Sequence, residues 1–145
     1  MKTKVHLIVK NMFLMGLILF LFSACAKKIS FQNSAIVPSA EGTVAIKQDK
    51  NNNYTIDLKV KRLAEPSRLT PPKALYVVWM ETAQRGTQNL GQLDTSTKGF
   101  SNMLSSSLKT VSSHQPISFF ITAEEDANRN YPGTTVVMKT DRISW

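Results

Sequence analysis

The chain has 145 residues, a single cysteine and a formal net charge of +8, and 42% of its residues are hydrophobic. One cysteine excludes a disulfide framework. The positive charge is spread along the chain without a block of about five or six like charges, which argues against nucleic-acid binding. The length suits one domain with its own hydrophobic core.

The first 24 residues have the pattern of a secretory signal peptide. Three lysines and no acidic residue lead into residues 12–22, which are apolar except for one glycine. This run is shorter than the about 20 residues that a membrane-spanning helix needs. The small residues Ser23 and Ala24 follow it, as at a signal cleavage site. We therefore predict a signal-peptide helix over residues 1–24, with cleavage after Ala24.

Cys25 comes directly after the predicted cleavage site. The segment Leu21-Phe22-Ser23-Ala24-Cys25 resembles the lipobox of bacterial lipoproteins, although Phe22 stands where Leu is commonest. The resemblance implies a diacylglycerol thioether on Cys25 and an acyl chain such as palmitate on its amino group, which together anchor a protein durably. Two alternatives stay open: a buried thiol beside an ordinary cleavage site, and an uncleaved membrane anchor.

Removal of residues 1–24 leaves 121 residues with a net charge of +5, because three basic residues leave with the signal. Ala26, rather than Asp, follows the cysteine; by resemblance to lipoproteins of Gram-negative bacteria this favours the outer over the inner membrane. Residues 25–41 mix serine, asparagine, proline and scattered apolar residues without a period. They are predicted to form a lipidated, flexible tether, with a short strand at most near its end.

From Gly42 onward the pattern predicts short strands. Residues 43–48 and 54–61 alternate apolar and polar residues around an asparagine-rich turn, which predicts a hairpin. The apolar segment Ala74-Leu75-Tyr76-Val77-Val78-Trp79-Met80 predicts a central strand. Further strands are predicted over residues 90–93, 100–108, 117–121 and 134–140, and a polar loop over 124–133.

About seven short strands without an amphipathic helix after the signal predict an all-β fold. The spacing favours an immunoglobulin-like antiparallel β-sandwich over residues 42–145, and a small barrel is the alternative. Trp79 is predicted to be a core residue in the place of the strand-C tryptophan of immunoglobulin domains. For Trp145, docking on the sandwich and exposure as a contact point stay open.

Four segments in the same order resemble the extracytoplasmic domain of the anti-sigma-K factor family. They are Tyr76-Val77-Val78-Trp79, Asn89-Leu90-Gly91-Gln92-Leu93, Ile121-Thr122-Ala123-Glu124 and Tyr131-Pro132-Gly133-Thr134. The resemblance implies a sandwich that senses or binds something in the envelope. It does not imply direct sigma-factor binding, because a lipid on Cys25 would place all mature residues outside the cytoplasm.

The chain offers little for catalysis or cofactors. His114 lies beside serines without an acidic partner that would orient it as a base, and metal-ligand spacings are absent. The cluster Glu124-Glu125-Asp126 with Asn128 could hold calcium, but a solvated loop is the favoured interpretation. We therefore predict no enzyme activity, no cofactor and no metal.

The function predicted from the sequence is that of an envelope-anchored lipoprotein whose sandwich is a protein-interaction or sensing module, using loops or a strand edge. An unidentified envelope protein is the expected partner. A structural subunit of an envelope complex is one alternative. A periplasmic binder of an anionic ligand or glycan, using Lys59, Lys61, Arg62 and Arg68, is the other.

Overall fold

The computed structural model describes residues 26–97 and 104–145, which form two antiparallel β-sheets packed face to face. The predicted all-β sandwich is confirmed, while the predicted signal-peptide helix lies outside the described residues. The elements are β1 (Lys27–Ser30), β2 (Glu41–Gln48), β3 (Tyr54–Lys61), a 3₁₀ turn (Pro66–Arg68), β4 (Leu75–Thr82), β5 (Gly86–Gln92), β6 (Asp94–Thr97), β7 (Leu104–Ser112), β8 (Pro116–Glu124) and β9 (Val136–Lys139).

The strand order is that of an immunoglobulin constant-type domain with one strand added to each sheet. One sheet has the order β1-β2-β3-β7-β6 and the other the order β5-β4-β8-β9. Strands β2-β3-β7-β6 and β4-β8-β9 correspond to the A-B-E-D and C-F-G orders of that fold. The predicted immunoglobulin-like class is therefore confirmed, with β1 and β5 as extra edge strands.

The core lies between the inner faces of the two sheets. In β3 the buried residues alternate with residues that face solvent, which confirms the period of two. In β4 the central position between β5 and β8 explains why both faces are apolar. The two sheets meet through Ile46, Ile56, Leu58, Val60, Tyr76, Val78, Met80, Phe119 and Ile121.

The turn between β2 and β3 is held by the side chain of Asp49. Its Oδ1 accepts hydrogen bonds from the backbone N–H groups of Asn51 at 2.8 Å and Asn53 at 2.9 Å, and Asn52 takes a φ of 61°. The backbone and side-chain N–H groups of Asn53 keep the pKa of Asp49 below its usual value, because they stabilise the carboxylate. The turn and the hairpin appear as predicted.

The segment predicted as a flexible tether, residues 25–41, belongs to the sandwich from Lys27 onward. Strand β1 pairs with β2, and Phe31 is buried while its N–H donates to the carbonyl of Gly42 at 2.9 Å. The N–H of Gln32 then donates to the carbonyl of Lys139 on β9 at 2.8 Å. The chain thus crosses from the edge of one sheet to the edge of the other. Its apolar residues lack a period because they fill this open edge rather than one face of a strand.

Three other strands differ from the prediction. The strand predicted over residues 90–93 is longer and begins earlier, as β5 at Gly86–Gln92. The short polar strand β6 was not predicted, because its four residues carry no apolar alternation. The strand predicted over residues 100–108 lies at Leu104–Ser112, and residues 100–103 are outside the described residues. With β1 and β6, the described residues form nine strands rather than about seven.

Candidate functional site

The predicted lipidation and cleavage residues, Cys25 and Ala24, lie outside the described residues, so both stay predictions. Only Ala26 separates Cys25 from the first residue of β1, Lys27. Within residues 26–97 and 104–145 the structure contains no helix that is long and apolar enough to cross a membrane.

Trp79 is fully buried, as predicted, but it faces away from the space between the sheets. Its neighbours on β4, Val78 and Met80, belong to the inter-sheet core, and successive residues of a strand point to opposite faces. The indole stacks on Phe120 of β8 with the ring centroids 6.3 Å apart. Trp79 therefore does not fill the place of the strand-C tryptophan; it packs on the outer face of the four-stranded sheet.

A buried chain of hydrogen bonds joins Trp79 to the loop between β8 and β9. The indole Nε1 donates to Thr122 Oγ1 at 2.7 Å, and the Thr122 hydroxyl donates to Glu124 Oε1 at 2.6 Å. The same oxygen accepts the N–H of Gly133 at 2.6 Å, and Arg129 Nε lies 3.4 Å from the other carboxylate oxygen. Glu124 is 2% exposed, and these partners offset the cost of burying its charge.

Asn89 of β5, the register partner of Trp79, holds the same loop from the edge strand. Its Nδ2 donates to the carbonyls of Ala127 at 2.8 Å and Arg129 at 2.9 Å. The roles of Asn89 and Glu124 in holding this loop were not predicted from the sequence. A signal was present for Glu124, because Phe120, Thr122 and Glu124 alternate along β8 and so share one face.

A groove of about 310 Å³ opens on the outer face of the four-stranded sheet. It combines apolar side chains with both signs of charge, and the Ser118 hydroxyl within it donates a hydrogen bond to the Glu81 carboxylate. We call it the outer groove; its side chains include Glu81, Ser118, Phe120, Val136, Lys139 and Arg142. Val136 is 42% exposed here, and Tyr131, on the loop that precedes it, is 80% exposed.

The basic face predicted as an anion-binding alternative is largely compensated by carboxylates. Three ion pairs account for this: Lys59 with Asp57 at 3.3 Å, Arg68 with Glu65 at 3.4 Å, and Arg62 with Glu41. Because these cations already have acidic partners, the field that would attract an anion is weakened.

The acidic cluster predicted as a calcium alternative does not converge. Glu124 points inward, Glu125 pairs with Lys73 at 2.9 Å, and Asp126 accepts the N–H of Asn128 at 2.9 Å. In the described part of the chain, no three His, Cys, Asp or Glu side chains lie close enough together to hold a metal ion. His114 lies in the turn after β7, where its backbone N–H donates to Ser112 Oγ at 3.0 Å.

Trp145 docks on the sandwich and is also exposed. Its Nε1 donates to the carbonyl of Pro116 at 2.8 Å, and its ring meets Tyr54 edge-on with the centroids 5.5 Å apart. Lys27 Nζ lies over the same ring, 5.2 Å from its centroid. The side chain nevertheless remains 52% exposed, so both options that the sequence left open apply in part.

The chain matches no family model, no curated protein and no solved structure. The resemblance to the anti-sigma-K factor family and to bacterial lipoproteins therefore stays a prediction from the motifs.

Proposed function

We propose that this protein is a non-enzymatic lipoprotein of the cell envelope that binds another envelope protein through the outer groove. A lipid on Cys25 holds it to the membrane, the outer membrane in preference to the inner. The observation that carries the binding proposal is the outer groove itself, where exposed apolar surface, a carboxylate and two cations meet. The exposed Tyr131 lies on the loop that leads into Val136 of this groove.

The composition of the groove suits a protein partner. Protein interfaces are enriched in tyrosine and arginine and have an apolar centre with a polar rim. Arg142 in the groove and Tyr131 on the loop that leads into β9 are residues of these two types, and Phe120 and Val136 provide apolar surface. The volume of about 310 Å³ lies at the lower end of small-ligand clefts, so it accommodates one or two anchoring side chains of a partner.

The rigid attachment of the loop supports the same proposal. Glu124 and Asn89 fix the loop between β8 and β9 through its backbone, and a loop that is already ordered loses little conformational entropy on binding. Tyr131 therefore lies on a loop that is already ordered before a partner binds.

Site-specific photo-cross-linking in living cells tests the binding surface. A photoreactive phenylalanine replaces Val136 in one variant and Val111 in the matched control, since both are exposed valines on strands but lie on different sheets. We expect one envelope protein to be captured from position 136 and not from position 111. Capture of the same protein from both positions, or of none from position 136, contradicts the proposal.

Lipid attachment is tested separately with Cys25→Ser. This variant removes the sulfur that the thioether needs, so incorporation of radiolabelled lipid should be lost while Cys25 in the parent chain is labelled. Labelling of Cys25→Ser at the parental level would refute the lipobox interpretation.

The two alternatives predict different results in the same cells. A structural subunit gives a stoichiometric complex that persists through purification. A binder of anionic glycans gives binding that falls steeply with salt, and the ion pairs on its supposed basic face argue against it.

A further inference from the structure

One end of the sandwich gathers cations around an exposed tryptophan. The start of β1 and the turns β2–β3, β4–β5 and β7–β8 all lie at this end, as the registers of the two sheets show. We call this end the anchor pole and define it by Lys27, Lys28, Lys47, Lys50, Arg85 and Trp145.

The cations of the anchor pole have no acidic partners in the part of the chain that the structure describes. Among the described residues none of its five cations takes part in an ion pair. One acid, Asp49, lies in the β2–β3 turn at this pole, where its carboxylate accepts hydrogen bonds from the turn rather than pairing with a cation, so the five cations still outnumber the acid.

The opposite end is electrostatically different. There Arg62, Arg68, Lys73 and Arg129 each have a carboxylate partner, whereas Lys61 has no ion pair among the described residues. The anchor pole thus carries more unpaired cations than the opposite end.

The predicted lipid is attached at the same end. Because β1 starts at Lys27, Cys25 is two residues from a strand that is paired along its length. Two residues span at most about 7 Å. A domain joined to its lipid by so short a link has to stand at the headgroups.

We propose that the anchor pole lies flat on the membrane, where its cations bind anionic phospholipid headgroups and Trp145 inserts at the interface. This inference rests on the proposed lipid attachment at Cys25. Tryptophan is favoured at the boundary between headgroups and acyl chains. Each lysine near an anionic surface raises the ratio of membrane-docked to undocked protein about five-fold. In this orientation the strands stand upright on the membrane, so the outer groove on the face of the four-stranded sheet opens to the side, where a neighbouring envelope protein can reach it.

Fluorescence quenching in vesicles tests this orientation with the full-length, processed protein. Mass spectrometry first establishes whether Cys25 carries lipid. The protein is then reconstituted into phosphatidylcholine vesicles with and without phosphatidylglycerol, using brominated acyl chains as the quencher. We expect Trp145 to be quenched more strongly in the anionic vesicles, and Trp145→Phe to abolish the effect, because the remaining tryptophan, Trp79, is buried.

Matched charge variants identify the surface. The double variant Lys47→Gln with Lys50→Gln should lower the ratio of docked to undocked protein about 25-fold, as two factors of about five. The double variant Lys59→Gln with Lys61→Gln removes the same charge from another part of the hairpin and should leave quenching unchanged. Equal effects of the two double variants, or no quenching of Trp145 in lipidated protein, overturn the proposal.

If Cys25 proves to carry no lipid, the proposed anchor fails but the anchor pole is still tested. The same protein is then mixed with phosphatidylglycerol vesicles in a flotation assay. Co-flotation of the parent protein that is lost in the Lys47 and Lys50 double variant supports the anchor pole as a lipid-binding surface. If the parent protein does not co-float, or if the double variant co-floats equally well, this role of the anchor pole is overturned.

Discussion

Replacement of Trp79 by alanine tests whether the loop between β8 and β9 seals the outer face of the sheet. Trp79 is fully buried although it points away from the inter-sheet core. Because the four-stranded sheet alone would leave its outer face open to solvent, the loop must cover the indole of Trp79. Loss of the indole should release this loop and leave the inter-sheet core intact.

The size of the effect follows from the buried surface. A tryptophan buries about 150–250 Å², and at about 25 cal/mol per Å² this stabilises the fold by about 4–6 kcal/mol. Aromatic-to-alanine changes in cores cost about 3–5 kcal/mol, and the lost hydrogen bond to Thr122 adds about 1 kcal/mol. We therefore expect Trp79→Ala to lower the free energy of unfolding by about 4–6 kcal/mol.

The assay is urea denaturation of the purified protein followed by tryptophan fluorescence. Trp145→Ala is the control; Trp145 is 52% exposed, so about half of the transfer energy of a buried tryptophan, or about 2–3 kcal/mol, should be lost. Because the chain has two tryptophans, each variant reports from one known position. If Trp79→Ala costs no more than Trp145→Ala, the loop does not seal the indole and the reasoning is wrong.

Three further substitutions are informative: two at glycines that lie in close contact with a side chain, and one at a buried tyrosine whose pKa is raised. Gly133→Ala should destabilise the fold by about 1–3 kcal/mol in urea denaturation, because its Cβ would lie 2.7 Å from Glu124 Oε2; an unchanged midpoint would mean that the loop moves freely. Gly42→Ala should cost a similar amount in thermal denaturation, since its Cβ would lie 2.7 Å from Phe31 Cδ2; no loss of melting temperature would contradict the sealed edge. Burial raises the pKa of Tyr76 to about 12 from about 10 in the unfolded chain. Its contribution to stability is therefore complete below pH about 10 and lost as the pH rises towards 12; Tyr76→Phe should flatten this decline.

The strands that the sequence predicts correctly are those whose burial produces a regular pattern, either one solvent-exposed face or two buried faces. The hairpin of β2 and β3 and the central strand β4 follow from alternation and from a continuous apolar run, because these patterns reflect burial directly. The immunoglobulin-like class could also be predicted, because turn residues separate the short strands at regular intervals in the sequence.

It failed where residues act across an edge or through the backbone. Phe31 and the neighbouring apolar residues fill a gap between two sheets, which imposes no period on the sequence. Asn89 acts on carbonyl groups about 40 positions away in the chain, and such contacts leave no local pattern. Trp79 was correctly predicted to be buried, but its side of the sheet depends on a loop whose path no strand pattern predicts.

The crossing of the N-terminal segment between the sheets also affects how neighbouring copies meet. If the protein is anchored to a membrane as proposed above, its copies meet at high local concentration. An unpaired strand edge would then be a template for assembly into fibres. At β9 that edge is occupied by the chain itself through Gln32 and through the Ser34 hydroxyl, which donates to the carbonyl of Val137 at 2.6 Å. A second copy could add a strand there only by first drawing Phe31 out of the core.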